Sequence, residues 1–376
     1  MDSKRVIMGG IVLVIALTVL GAVMDNYAPG RIWTPDWEYD DYKAAADIGG
    51  GVQSVSGSLE LVEISGETMV HAKDIGKGVI THLDGTTETV TVEKAVVDVF
   101  LLIGQSNANY RPGQADTEAL DPKPAPGTAY YYGTEESCSA WNSPGLTSIQ
   151  SFNLPDGSPR LGDKMPAIAA AYHEETGRKM LLINSAIGSQ YITSYDPDGG
   201  RCWLRATTAV VTTMAGLAES EYFEASGTYA YMFILGETDG VHGTTEAAYK
   251  QGFMKMHEAI LDGQLGAVFS HCYISLTKEG MADAQRQLAQ EHPDTITVAT
   301  DAALGFTRAN GMLSDTYHYT QFGDNIIGEA LGKACASYVE DSGSIVGKIV
   351  EIVPILVAVA GVAAIALYLF DRRKRI

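Results

Sequence analysis

The sequence predicts an α/β protein: a parallel sheet covered by helices on both faces, preceded by a small antiparallel β unit and bracketed by two membrane-spanning helices. Three observations carry this expectation. From Val96 onward, strand-like and helix-like runs alternate. Between residues 51 and 94 the runs are short and of strand period. Near each end lies a run of 19 residues without a charge, Val6–Met24 and Ile352–Phe370.

The first apolar run follows a short tail, residues 1–5, that ends in Lys4 and Arg5. About 20 apolar residues span a bilayer, so residues 6–24 suffice. The rival is a cleaved signal peptide, which has a shorter apolar core and small residues before the cut. The length of the run and Met24 at its end favour a retained anchor. The second run, within residues 349–370, precedes Arg372, Arg373, Lys374 and Arg375, a basic tail (371–376) of the kind that stays cytoplasmic. With both runs in the membrane, both termini are cytoplasmic and residues 25–345 extracellular. Charge agrees: the chain is net −20, with +1 on residues 1–5 and +3 on 371–376, leaving −24 on the body. That acidity argues against a nucleic-acid partner, since phosphate binding needs basic patches. A lipid bilayer is the partner the ends imply, and a homo-oligomer is compatible with the sequence.

Residues 25–50 are acidic, aromatic and aperiodic, and read as a stalk or wrap-around segment. Residues 51–94 hold "SLELVEI", "TMVHA", "GVITHL" and "TETVTVE", with Asp84-Gly85 as a hairpin signal between the last two. In the main domain, residues 95–342, the strands are "VVDVFLLIG", "KMLLINSA", "TYAYMFILG", "GAVFSHCYISL" and "TITVAT". The helices are "RLGDKMPAIAAAYHEETG", stopped by Gly177, then "LRATTAVVTTMAGLAES", "TTEAAYKQGFMKMHEAILDG", "GMADAQRQLAQEH" and "TQFGDNIIGEALGKACASYVE". Such alternation gives a parallel sheet whose active site lies at the carboxyl ends of its strands. Two stretches break the pattern: residues 108–160, with Tyr130, Tyr131, Tyr132 and Trp141, and residues 189–203. Long loops on a rigid scaffold bind or cover something, and their aromatics suit sugar rings; packing onto the domain is the plainer expectation for at least one of the tyrosines.

Cys138, Cys202, Cys272 and Cys335 fall in the presumed ectodomain and permit three pairings. The histidines are scattered and no CxxC spacing is present, so neither a metal nor another cofactor is expected.

The chemistry is sought where "VVDVFLLIGQSNANY" stops at Gly-Gln-Ser-Asn. Ser106 becomes a nucleophile only with a base beside it and a group orienting that base. Asp315 and His318, three residues apart before the last helix, let one segment deliver both. The backbone N–H groups of Gly188, in "SAIGSQ", and of Ser106 are candidate oxyanion donors. "LGETDG" brings Glu237 and Asp239 to the same edge.

Taken in order, Gly104-Gln105-Ser106-Asn107, the Gly after the second strand, Gly236-Glu237-Thr238-Asp239 and Asp315-Thr316-Tyr317-His318 resemble the blocks of the SGNH hydrolase superfamily. Its branch of sialate O-acetylesterases and acetylxylan esterases is the most similar, over about residues 96–340. The resemblance implies a flavodoxin-like three-layer α/β/α domain and removal of acetyl or short acyl groups from a glycan. It implies Ser106 as nucleophile, His318 as base and Asp315 as its partner. It also implies an oxyanion hole at Ser106, Gly188 and Asn107, with Gln105, Gln190, Glu237 and Asp239 binding substrate or supporting the site. One position departs: where that branch has a Gln donor, this chain has Leu235, and losing such a donor costs about 2.7–4 kcal/mol. Asn107, Gln190 and Thr238 are the candidates to replace it. The alternative expectation is a surface or virion spike protein that grips glycan on an esterase-like scaffold without turnover.

Overall fold

Among the described residues, seven short strands precede Val96. They are β1 (Trp37–Glu38), β2 (Tyr42–Ala44), β3 (Val52–Gly57), β4 (Leu59–Ile64), β5 (Glu67–Ala72), β6 (Gly76–His82) and β7 (Thr87–Glu93). The computed structural model describes residues 37–109, 124–131, 150–151, 164–278 and 280–339. The strands form two small sheets, ordered β1-β7-β6-β3 and β2-β5-β4, with antiparallel pairing throughout except between β1 and β7. β6 and β7 form a hairpin in which Asp84 accepts from the Thr86 N–H at 2.9 Å and Gly85 takes φ +83°. Alternating residues meet in a small core of Trp37, Leu59, Val70, Ile80, Val90 and Val92. Residues 37–44, expected in a stalk, instead supply β1 and β2: Trp37 is an apolar side chain with a core to enter, and it is buried.

These sheets are fastened to the main domain at the bend after β1. Glu38 accepts from the Val96 N–H at 3.2 Å, and the Lys179 ammonium reaches Asp41 at 2.7 Å and the Gly127 carbonyl at 3.0 Å. The Tyr39 ring packs on Tyr222 and Phe223. Both parts lie in one compact unit, Thr34–Ala336.

The main sheet has seven strands: β8 (Ala95–Gly104), β9 (Ala129–Tyr131), β10 (Gln150–Ser151), β11 (Lys179–Asn184), β12 (Phe223–Ile234), β13 (Cys272–Ser275) and β14 (Ile296–Thr300). Their order is β10-β9-β11-β8-β12-β13-β14. The five expected strands therefore stand second-first-third-fourth-fifth and parallel, the flavodoxin-like arrangement. β9 and β10 arise within the stretch expected to be loop. There Tyr130 and Tyr131 are buried strand residues, while Tyr132 and Trp141 lie outside the described residues. β13 is shorter than expected, although just before it the Ser270 N–H bonds the Tyr229 carbonyl at 3.0 Å and the His271 carbonyl accepts the Tyr231 N–H at 2.9 Å.

The helices are α1 (Met165–Thr176), α2 (Arg201–Glu219), α3 (Glu237–Val241), α4 (Glu246–Leu261), α5 (Ala282–Glu291) and α6 (321–339). β8 shows why both faces are covered. Val97, Val99, Leu101 and Ile103 join a core with Ala206, Val210, Phe253 and Leu288 from α2, α4 and α5. Phe100 points the other way and meets Tyr172 of α1 at 5.1 Å between ring centroids. α6 lies against α1, where a Cβ on Gly328 would come within 2.6 Å of the Ala167 side chain.

Cys202, Cys272 and Cys335 are buried and unpaired, each in a different element; Cys138 lies outside the described residues. The expected apolar anchors also lie outside them, and no described helix is long and apolar enough to cross a membrane.

Candidate active site

β8 ends at Gly104 with φ +153°, and a Cβ there would fall 2.1 Å from the Ile234 carbonyl oxygen. Only glycine lets the strand turn this tightly beside β12. The turn opens directly into a short 3-10 helix, Ser106–Ala108, which leaves Ser106 half-buried at the carboxyl edge of the sheet. β8 and β12 flank the point where the strand order reverses, the place in such sheets where a crevice opens.

The segment before α6 brings the other two groups. His318 Nε2 lies 3.1 Å from Ser106 Oγ, and His318 Nδ1 lies 2.6 Å from Asp315 Oδ2. The second oxygen of Asp315 accepts the backbone N–H groups of Tyr317 and His318, each at 2.8 Å. The three-residue spacing thus closes a turn whose carboxylate is fixed by its own backbone. Burial works to raise the Asp315 pKa, but the bonds from the His318 ring and from the two N–H groups outweigh it and hold the carboxyl at about 2.

The neighbouring blocks are knitted by Glu237, which is buried at the start of α3. Its two oxygens accept from Gln105 Nε2 at 2.6 Å and Asn107 Nδ2 at 2.8 Å. The other Asn107 amide hydrogen goes to the Tyr317 carbonyl at 2.9 Å, and Asn107 Oδ1 accepts from the Tyr319 N–H at 3.3 Å. Asn107 was expected to donate to an oxyanion; with both hydrogens committed, it instead ties the serine turn to the histidine segment. Thr238 is likewise committed, its hydroxyl donating to Gln105 Oε1 at 2.7 Å.

Gly188 sits beside the serine: a Cβ on it would lie 3.9 Å from Ser106 Cβ. Neither the Gly188 N–H nor the Ser106 N–H donates to another group among the described residues, which leaves both for a ligand. Gln190 donates to the Gly188 carbonyl at 2.8 Å and so braces this loop. Asp239 is fully buried and accepts from the Ile192 N–H at 2.9 Å; burial raises its pKa. Leu235 belongs to the main core, and its carbonyl takes the Tyr249 hydroxyl at 2.5 Å and Gln285 Nε2 at 2.9 Å.

Sequence reasoning missed Tyr195. The stretch 189–203 was expected to offer aromatics to a ligand, yet Tyr195 and Trp203 are buried. The Tyr195 hydroxyl holds both the N–H and the carbonyl of Gly104. A tyrosine in a Gly- and Asp-rich loop carries no period that betrays burial.

A hydroxyl, an imidazole and a carboxylate in series at the switch point of a flavodoxin-like sheet, with two unused N–H groups beside them, define the class: an SGNH-type hydrolase. The family model described as carbohydrate esterase, sialic acid-specific acetylesterase, matches residues 96–337, and the chain belongs to that family. No curated protein matches the chain. Among solved structures it is similar to a protein from Arabidopsis thaliana, at 17% identity and TM-score 0.44, covering 64% of this chain and 98% of that one. It is also similar to NanS, at 13% identity and TM-score 0.45, covering 66% and 98%. A third is a carbohydrate acetylesterase from Xanthomonas citri, at 14% identity and TM-score 0.40, covering 81% and 72%.

Proposed function

We propose that this carbohydrate-esterase family member is a serine esterase that removes acetyl or similar short acyl groups from glycans. The observation that carries the reading is the series Ser106–His318–Asp315, with contacts of 3.1 and 2.6 Å. His318 takes the proton of Ser106 as its oxygen attacks the ester carbonyl, and Asp315 fixes the ring so that Nε2 faces the hydroxyl. The developing oxyanion is received by the N–H groups of Ser106 and Gly188. Collapse expels the sugar hydroxyl, protonated by His318, and leaves an acyl-serine. His318 then activates water, which releases the acid and restores Ser106.

The apolar runs at residues 6–24 and 352–370, each flanked by basic residues, support anchoring of the enzyme in a bilayer with residues 25–345 outside. Accessibility of residues 25–345 to protease on intact cells, with the termini protected, tests that placement; protection of the whole chain overturns it.

Hydrolysis of an acetylated glycan by the full chain in detergent, compared with Ser106→Ala and His318→Ala, tests the activity. Wild-type turnover with loss of at least about a thousandfold in each variant is expected. A second reading, a glycan binder without turnover, is favoured by Leu235, whose side chain offers no donor. Glycan binding retained by Ser106→Ala, with no ester hydrolysis or phosphonate labelling in the wild type, decides for the binder.

A further inference from the structure

We propose that Tyr195 is a positioning residue for the oxyanion site, its hydroxyl setting the separation of the two turns that present the Ser106 and Gly188 N–H groups. The proposal rests on the esterase reading above.

The need for such a group follows from the sheet. β11 pairs with β8 only as far as Asn184 opposite Leu102, and the next link is the Ser185 N–H on the Leu102 carbonyl. At Gly104, two residues on, the ladder has thinned to one link on that side, the Ile187 N–H on the Gly104 carbonyl at 3.2 Å. The Gly104 N–H sits at the buried end of a central strand, where leaving it without a partner is costly, and its carbonyl has a second lone pair open. One side-chain atom that both accepts and donates meets both, and a hydroxyl is such an atom. Tyr195 Oη accepts the Gly104 N–H at 2.9 Å and donates to the Gly104 carbonyl at 2.7 Å. It stands where the ladder between β11 and β8 gives out.

The bonds also connect the two donor-bearing turns. The Gly104 carbonyl accepts the Ile187 N–H at 3.2 Å, next to Gly188, while Ser106 follows Gly104 by two residues. Tyr195 is reached from Gly188 through a short 3-10 helix, Ile192–Tyr195, and that helix is itself held. Asp239 takes the N–H of Ile192 at its start, and a Cβ on Gly252 of α4 would lie 3.2 Å from the Ile192 side chain, so the helix rests against α4. The tyrosine is therefore a fixed strut, 1% exposed, rather than a mobile side chain. Through Gly104 it governs the first donor, and through its own segment the second.

Tyr195→Phe in the full chain keeps the ring and removes both bonds. Tyr172→Phe is the control, since it also removes a buried hydroxyl bond, at 2.5 Å to Asp98, away from the serine turn. On an acetyl ester, Tyr195→Phe is expected to lower kcat at least about tenfold with KM within about twofold, because the donors are displaced where only the transition state uses them. Tyr172→Phe is expected to lose thermal stability but keep kcat. A crystal structure of Tyr195→Phe is expected to show the Gly104–Ser106 turn displaced relative to Gly188. Wild-type kcat and KM in Tyr195→Phe, or an equal fall in kcat in both variants, overturns the proposal. If the wild type hydrolyses no ester, the esterase reading fails, and an unmoved turn in the crystal structure overturns the positioning role independently.

Discussion

Replacing Glu237 by Gln changes one buried atom and tests how far the serine turn and the histidine segment depend on each other. The carboxylate accepts two amide N–H groups, from Gln105 at 2.6 Å and Asn107 at 2.8 Å, in a site where it is 4% exposed. A hydrogen bond to a charged group contributes about 1.5–3 kcal/mol, and a buried donor left unmatched costs about 1–3 kcal/mol. Glutamine retains one acceptor oxygen but turns an NH2 toward the other partner. One charge-assisted bond is lost and two donors face each other, so a loss of about 2–4 kcal/mol is expected. For a domain of this size that lowers Tm by about 10 °C. On the proposed esterase reading Asn107 is the partner that bears on catalysis, because its other bonds reach Tyr317 and Tyr319 on either side of His318. We expect kcat to fall at least about tenfold with little change in KM. Thermal melts, together with hydrolysis rates scaled to folded protein, measure both effects. Wild-type kcat in a variant whose Tm has fallen refutes the coupling and leaves Glu237 as a stabilising residue only.

Three further residues, Asp315, His71 and Asp98, carry the remaining predictions. Asp315→Asn is expected to lower kcat about a hundredfold or more in ester hydrolysis, since the amide no longer holds the imidazole in register. Because the folded Asp315 carboxyl is held at about 2, its contribution to stability is present above about pH 4 and disappears as pH falls toward 2; acid unfolding of wild type against Asp315→Asn measures this. His71 lies 3.0 Å from Asp40 and 3.0 Å from Glu60, under the stacked ring of Tyr42, with Lys73 beyond Glu60. Burial opposes its protonation, but the two carboxylates outweigh that and raise its pKa. Its stabilisation is thus full below about pH 6.5 and lost as pH rises through the raised value; urea midpoints at acid and alkaline pH should differ less in His71→Gln. Asp98→Asn breaks a buried cluster in which the carboxylate takes two bonds from Arg178, at 2.6 Å each, and one from Tyr172. A loss of about 3–5 kcal/mol is expected in denaturant titration, with kcat of the folded fraction unchanged.

The main sheet and the Ser106–His318–Asp315 constellation were legible because they rest on local, strong signals. Val96–Gly104 is apolar but for Asp98, as befits a strand buried on both faces, and the helices that follow repeat every three or four residues. Ser106, Asp315 and His318 were legible from their places relative to those elements. β9 was not, because three residues flanked by Pro and Gly carry no period; only the neighbouring β11 makes Ala129–Tyr131 a strand. The task of Asn107 was misjudged for a different reason. Its spacing beside the serine suits a donor to substrate, and only the tertiary arrangement shows that Glu237 and Tyr317 already hold both its hydrogens. Leu235 and Tyr195 teach the same lesson: residue type suggests a chemistry, and burial decides whether it is used.

The hydroxyl and the imidazole are separated by 212 positions, and the histidine segment directly precedes α6. If Ser106 and His318 act as proposed, the serine emerges during synthesis long before the base that would activate it. Its reactivity must await the closing helix, which packs on α1 and carries the histidine segment home. A chain interrupted anywhere between these points holds a serine as inert as any other. On the proposed esterase reading, chemical competence is therefore a late event, and labelling of nascent chains of increasing length should show it switching on only after the His318 segment and α6 have emerged.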